Sequence, residues 1–173
     1  MIERASRSQI DLGIAATARV ENPAVTRRLL TVTHAVCAFP KGHALAALRQ
    51  ISPKDIAGMN FISLGNMDGL RLQIDQACDE AGVGRTLRIE CTLASACLEF
   101  VASGAGITIV DDISAWAMRH AVAFRPFVPE LQVELSLYRP WGTLPTVIGT
   151  AFTEHLVREI RALSKKALVV GQG

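Results

Sequence analysis

The sequence predicts an α/β fold, with helices packed on the faces of a parallel or mixed sheet. Three stretches carry that reading. Residues 87–112, LRIECTLASACLEFVASGAGITIVDD, run as strand, short helix, glycine turn and strand, with Asp111 and Asp112 just past the second strand. Residues 69–81 place Leu70, Ile74, Ala77, Cys78 and Ala81 on one helical face and Arg71, Gln73, Asp75, Asp79 and Glu80 on the other. Leu131, Val133, Leu135 and Leu137 alternate with polar residues, as a strand with one wet face requires.

The remaining elements follow in chain order. Ile10, Leu12 and Ile14 alternate within a strand at 9–15, and a second extended region covers 29–39, ending at the break Pro40-Lys41-Gly42-His43. Ser52 before Pro53 marks a helix start, a hydroxyl cap followed by proline at the first position, and Gly58 stops that short helix. A strand at 60–64 precedes the helix at 69–81, which Gly82 ends. Past the 87–112 unit come a helix at 113–121, an extended segment at 122–127 and the alternating strand. A long amphipathic helix runs from Pro145 to about Lys166, with Phe152, Leu156, Ile160 and Leu163 as its expected buried stripe, and 169–173 are expected to fray.

Composition limits function. The 173 residues carry 18 basic and 16 acidic side chains, a net charge of +2, too balanced to specify a nucleic-acid groove. Half the residues are apolar and mean hydropathy is +0.29, high for a chain that covers its own core. No apolar run is long enough to span a bilayer, and the first residues lack the apolar core of a signal peptide, which suggests a cytoplasmic setting with no membrane partner. Cys37, Cys78, Cys91 and Cys97 sit at irregular spacings in apolar surroundings and read as reduced buried thiols. His34, His43, His120 and His155 do not pair at metal-ligand spacing, so neither metal nor cofactor is expected. No G-x-S-x-G elbow, P-loop, H-E-x-x-H or complete dinucleotide fingerprint occurs, and a non-enzymatic role is the better reading.

In α/β folds ligands gather beyond the carboxyl ends of strands. That points to the loop after 60–64, with Ser63, Asn66 and Asp68, and to the loop after 87–91, with Thr92, Ala94 and Ser95. The amides opening the helix at 94–103 attract an anion, with Thr92 or Ser95 capping that helix either alone or while touching a ligand. Asp68 either caps the helix at 69 or meets an ammonium group. Arg71, Arg125 and Trp141 are weaker candidates, Arg71 being expected to stay solvated, and Asp111 and Asp112 read as helix caps rather than as a catalytic pair.

The segments DLGIA (11–15), VCAFPKGHALA (36–46), ISPKDIAGMNFISL (51–64), GLRLQIDQACDEAGV (69–83), LEFVASGAGITIVDD (98–112), FRPFVP (124–129) and AFTEHL (151–156), in that order, resemble the effector-binding domain of the LysR-type transcriptional regulators. FISLGNMDGLR and ECTLASACLEF look most like the subgroup answering to opines and related amino-acid derivatives. The resemblance implies two α/β lobes of the type II periplasmic-binding-protein kind, with lobe I incomplete at its N-terminus. Lobe I is then 1–39 plus 130–173, and lobe II is 40–129. The chain would cross between them at Pro40–His43 and Arg125–Pro129, making Pro40, His43, Arg125 and Pro126 the hinge residues. A small amino-acid-like or carboxylate effector would sit in the inter-lobe cleft.

Family members carry a winged helix-turn-helix and the first strand–helix–strand of lobe I ahead of the segment matching DLGIA, and this sequence starts directly before it. The expectation is therefore a fragment with weak or absent effector binding, reaching DNA only through the missing domain of the intact family, and either homo-oligomeric or associated with a full-length regulator. A headless interaction partner and a periplasmic-type solute-binding protein are the alternatives.

Overall fold

The computed structural model describes residues 2–7, 9–16, 22–144 and 146–170. A short helix α1 (Ile2–Ser6) leads to strand β1 (Gly13–Ala16) and then to the sixteen-residue strand β2 (Val25–Pro40). Two 3₁₀ turns, Ala44–Ala47 and Pro53–Ile56, precede β3 (Asn60–Leu64), α2 (Gly69–Glu80), β4 (Thr86–Cys91), α3 (Ala94–Ala102), β5 (Thr108–Asp111), α4 (Asp112–Ala117), β6 (Val122–Pro126), β7 (Gln132–Pro140) and α5 (Val147–Val170). The elements read from sequence agree in type, but α1 and the Ala44–Ala47 turn are not among them, and β2 starts four residues before the expected extended region. The expected frayed tail falls partly inside α5, and 171–173 lie outside the described residues.

β2 organises the molecule. Its first part, Val25 to His34, pairs antiparallel with β7, which in turn pairs with β1. From Ala35 onward the strand changes partners, to β5 on one side and β6 on the other. β3 and β4 pair in parallel, and β3 meets the start of β5 through the Phe61–Ile107 bridge and the Thr108 hydroxyl, which donates to the Ile62 carbonyl at 2.7 Å. The β-branched and aromatic content of these strands fits a surface buried on both faces: Phe39, Ile62, Ile109 and Val110 are each at most 1% exposed.

Among the described residues three core regions result. The largest gathers the second part of β2, β3, β5, α2 and α3, a second joins Leu30 and Leu137 to Val157 and Ile160 of α5, and a third sets Ala5 of α1 against Val25 and Tyr138. The expected stripe on α5 needs correcting. Ile160 is buried, but Phe152 is 51% and Leu163 38% exposed, and the buried row is Val157, Ile160, Ser164 and Ala167. That row has the same helical spacing turned about the axis, and a hydrogen bond between the Thr31 and Ser164 hydroxyls at 3.2 Å seats its polar member on β2.

The expected first crossing also shifts. The chain passes from one sheet to the other at His34–Ala35 and returns through Phe127–Leu131. Ala35 joins the two passages, its carbonyl accepting from the Phe127 amide at 3.1 Å and its amide donating to the Leu131 carbonyl at 2.9 Å. Pro40 is still paired, with Val122, and His43 caps the first 3₁₀ turn, its Nδ1 accepting from the Leu45 amide. Arg125 binds the Ala46 and Leu48 carbonyls, and Pro126 accepts from the Ile51 amide. All four expected hinge residues thus fix one unit internally, because a proline at the end of a strand is as compatible with continued edge pairing as with a crossover.

Candidate functional site

β3 and β4 run side by side and end at the same level, Leu64 opposite Cys91, so the loops 65–68 and 92–93 lie next to each other. A Cβ built on Gly65 would come 3.9 Å from the Cys91 carbonyl oxygen, which measures that proximity. Asn66, Thr92 and Ser95 are exposed, and Asp68 and Ala94 half-exposed. Two α-helices, α2 and α3, open at this edge.

The two helix starts differ. Asp68 caps α2, one carboxylate oxygen accepting from the Leu70 and Arg71 amides at 2.9 and 3.2 Å. On α3 the capping position is Leu93, in extended conformation, with no side-chain cap. The expectation that Thr92 or Ser95 caps α3 is therefore overturned: a one-residue displacement puts an aliphatic side chain at the capping position. The Ala96 and Cys97 amides donate to the Leu93 carbonyl at 3.1 and 3.2 Å, while the Ala94 and Ser95 amides stand at the positive end of α3 with no capping side chain at Leu93.

Ser63 is a second correction. It is 1% exposed, and its hydroxyl is held by the Arg71 guanidinium, so it lies beneath the loop instead of lining it. Arg71, expected to be solvated, has a side chain only 14% exposed. It donates to the Leu64 carbonyl at 3.1 Å and from Nε to Asp75 at 2.7 Å, one helical turn on. Arg85 pairs with the same Asp75 and lies 4.9 Å over the Phe61 ring. Burial, and then the Arg71 charge, lower the Arg85 guanidinium to about 10. The cluster fastens α2 to the β3–β4 edge.

A further charged group, missed at the level of sequence, sits where the sheets meet. His34 is the last β2 residue paired with β7; its Nε2 is 3.1 Å from Glu130 and its Nδ1 is 3.7 Å from Asp112. Asp111 caps α4 through the Ser114 amide at 2.9 Å, whereas Asp112 is 3% exposed and faces His34. Burial first, and the neighbouring Asp111 second, push the Asp112 carboxyl above its ordinary range, with His34 opposing. Only the one-residue step from cap to first helical position separates these roles, and a sequence does not resolve it. Nearby, the Gln73 side chain of α2 donates to the Gln132 carbonyl of β7 at 3.1 Å, a direct tie between the two regions.

Among the described residues no cluster of histidine, cysteine or carboxylate side chains could hold a metal ion, and no helix is long and apolar enough to cross a membrane. A hollow bordered by His43, Asn60 and Gly106 opens at the start of β3, the opposite end from the two loops.

The LysR substrate binding domain family matches residues 1–161. The chain belongs to that family. Among curated relatives, it is 30% identical over 164 residues to the regulatory protein NocR of Agrobacterium tumefaciens, covering 94% of this chain and 54% of NocR. It is 32% identical over 154 residues to the transcriptional activator LysR of Escherichia coli, covering 87% of this chain and 49% of that protein. The chain thus spans about half the length of these relatives. The effector-binding domain of QuiR in complex with shikimate superposes with a TM-score of 0.72 at 22% identity, covering 95% of this chain and 77% of that one. The fold is that of LysR effector-binding domains, the type II periplasmic-binding arrangement, and these domains bind small molecules in the service of transcriptional regulation, not catalysis.

Proposed function

We propose that this chain senses a small amino-acid-like or other carboxylate effector, bound between two lobes that meet at His34–Ala35 and Phe127–Leu131. Lobe I comprises the β1–β7–β2 sheet with α5, and lobe II the β3–β6 region, close to the division at 39/40 and 129/130 read from sequence. The observation that carries this reading is the uncapped start of α3 beside the loop after β3. The Ala94 and Ser95 amides, with the exposed Thr92 and Ser95 hydroxyls, offer donors to a carboxylate. Asn66 and the free oxygen of Asp68 offer acceptors to an ammonium group on the same molecule. Shikimate, the ligand of QuiR, is itself a carboxylate, which agrees with an anion subsite.

Ligand affinity that differs between two arrangements of the subunits shifts their populations, and this is how occupancy would reach DNA through a helix-turn-helix domain of the whole regulator. A cytoplasmic location and self-association, or association with a full-length regulator, complete the proposal.

The test is Ala94→Pro. Proline is favoured at the first position of a helix and Leu93 already has the extended backbone that precedes it, so the fold is kept while one amide donor is lost. Titration with lysine, octopine, nopaline and diaminopimelate should show affinity for the bound member falling about tenfold or more in the variant. Equal affinity in both proteins overturns the anion subsite.

A further inference from the structure

Cys91 and Cys97 converge on two consecutive residues of β3. Cys91 ends β4 opposite Leu64, and the Cys97 thiol, in the first turns of α3, lies 3.6 Å from the Ser63 carbonyl oxygen. Both cysteines thus border the Ser63–Leu64 step of β3, and Cys91 packs against the core cluster that holds Cys97. Cys91 is half-buried at the mouth of the exposed Thr92–Leu93 loop, whereas Cys97 is fully buried. Cys37 and Cys78 are both buried in the core.

We propose that Cys91 and Cys97 form a reversible disulfide, which locks the β4–α3 loop when the protein meets a peroxide. Cys91 is the sulfur a small oxidant reaches, and it lies near the positive end of α3. Its thiolate attacks one peroxide oxygen and gives a sulfenic acid, while the other oxygen leaves as hydroxide and takes up a proton. The Cys97 sulfur then attacks the Cys91 sulfur, and the sulfenic oxygen departs with the Cys97 proton as water. Two thiols lose two electrons and two protons, and one peroxide becomes two waters.

Burial, and next the Cys91 sulfur, push the Cys97 thiol up to about 12, so Cys97 resolves the intermediate but does not start the reaction. The new bond ties the end of β4 to the first turns of α3 and so fixes Thr92, Leu93 and Ala94 between them. The chemistry is independent of any ligand.

Trypsin releases residues 89–119 as one peptide holding Cys91, Cys97 and no other cysteine. The purified chain is treated with hydrogen peroxide, blocked with an alkylating agent, digested without reductant and weighed by mass spectrometry. The expected peptide is lighter by two hydrogens and unalkylated, and a dithiol reductant restores both thiols. Cys91→Ser and Cys97→Ser each abolish the change, while Cys37 and Cys78 stay reduced. Amides 92–97 should exchange hydrogen more slowly in the oxidised protein. A peptide that keeps both thiols, acquires a sulfinic acid at Cys91, or links two chains through Cys91 contradicts the proposal; unchanged exchange contradicts the locking of the loop.

Discussion

The Asp112 carboxylate lies 3.7 Å from the His34 imidazole, at the point where β2 leaves one sheet for the other. One Asp112 oxygen and His34 Nδ1 are buried without a hydrogen-bond partner. A carboxylate in that position is held at a cost, which burial and Asp111 set and His34 only partly offsets. Because folding raises the Asp112 pKa, its contribution to stability is full below the ordinary aspartate value and is lost as pH rises through the folded value. Asp112→Asn removes that dependence. Thermal unfolding should show the variant gaining on the natural protein as pH goes from 4 toward 7, with a higher midpoint at neutral pH. A variant that loses ground as pH rises would refute this.

Asp75 is the shared counter-charge of Arg71 and Arg85. Asp75→Ala leaves two largely buried guanidinium groups facing each other, so the expected loss is about 2–3 kcal/mol in urea unfolding, below the full range for buried pairs because Asp75 is one-third exposed. Arg85→Met in the same background should recover part of that loss by removing one of the opposed charges. A combined variant no more stable than Asp75→Ala alone would show that the two arginines do not oppose each other.

The glycines near the turn before β5 serve different ends. Gly104 has φ +83°, a conformation that L side chains rarely adopt, whereas a Cβ on Gly106 would come 2.3 Å from the Asn60 carbonyl oxygen. Gly104→Ala should cost about 1 kcal/mol through the backbone alone. Gly106→Ala should cost about 2–3 kcal/mol, since β5 must move away from β3 and breaks the Ile107–Asn60 hydrogen bond. Urea midpoints compare the two, and equal losses would argue against the close approach.

Local chemistry explains how much of this was legible in the sequence. β3 falls on the predicted residues, and so does the buried face of α2 from Leu70 to Cys78, because apolar period and capping residue agree there. The rule that ligands gather beyond the carboxyl ends of strands singles out the loops after β3 and β4, and the parallel pairing brings those two loops side by side. What escaped were relations between distant segments. Arg71 reads as a surface residue until Ser63 and Asp75 are seen around it, and His34 reads as an isolated histidine until Glu130 and Asp112 arrive from residues 78 and more away. The resemblance implies a crossing at Pro40–His43, yet β2 passes between the sheets at His34–Ala35 with no break in its hydrogen bonding there.

The central claim is that the uncapped start of α3 and the loop after β3 together receive the carboxylate-bearing effector. An NMR titration of the nitrogen-labelled chain with lysine, octopine, nopaline and diaminopimelate tests it most directly. Even with the weak binding expected of this chain, at least one of them should shift the amide signals of residues 65–68 and 92–96 together, saturably at high concentration, before those of the hollow near His43 and Asn60. Saturable shifts confined to that hollow, or no saturable shift at the two loops with any of the four, contradict the account.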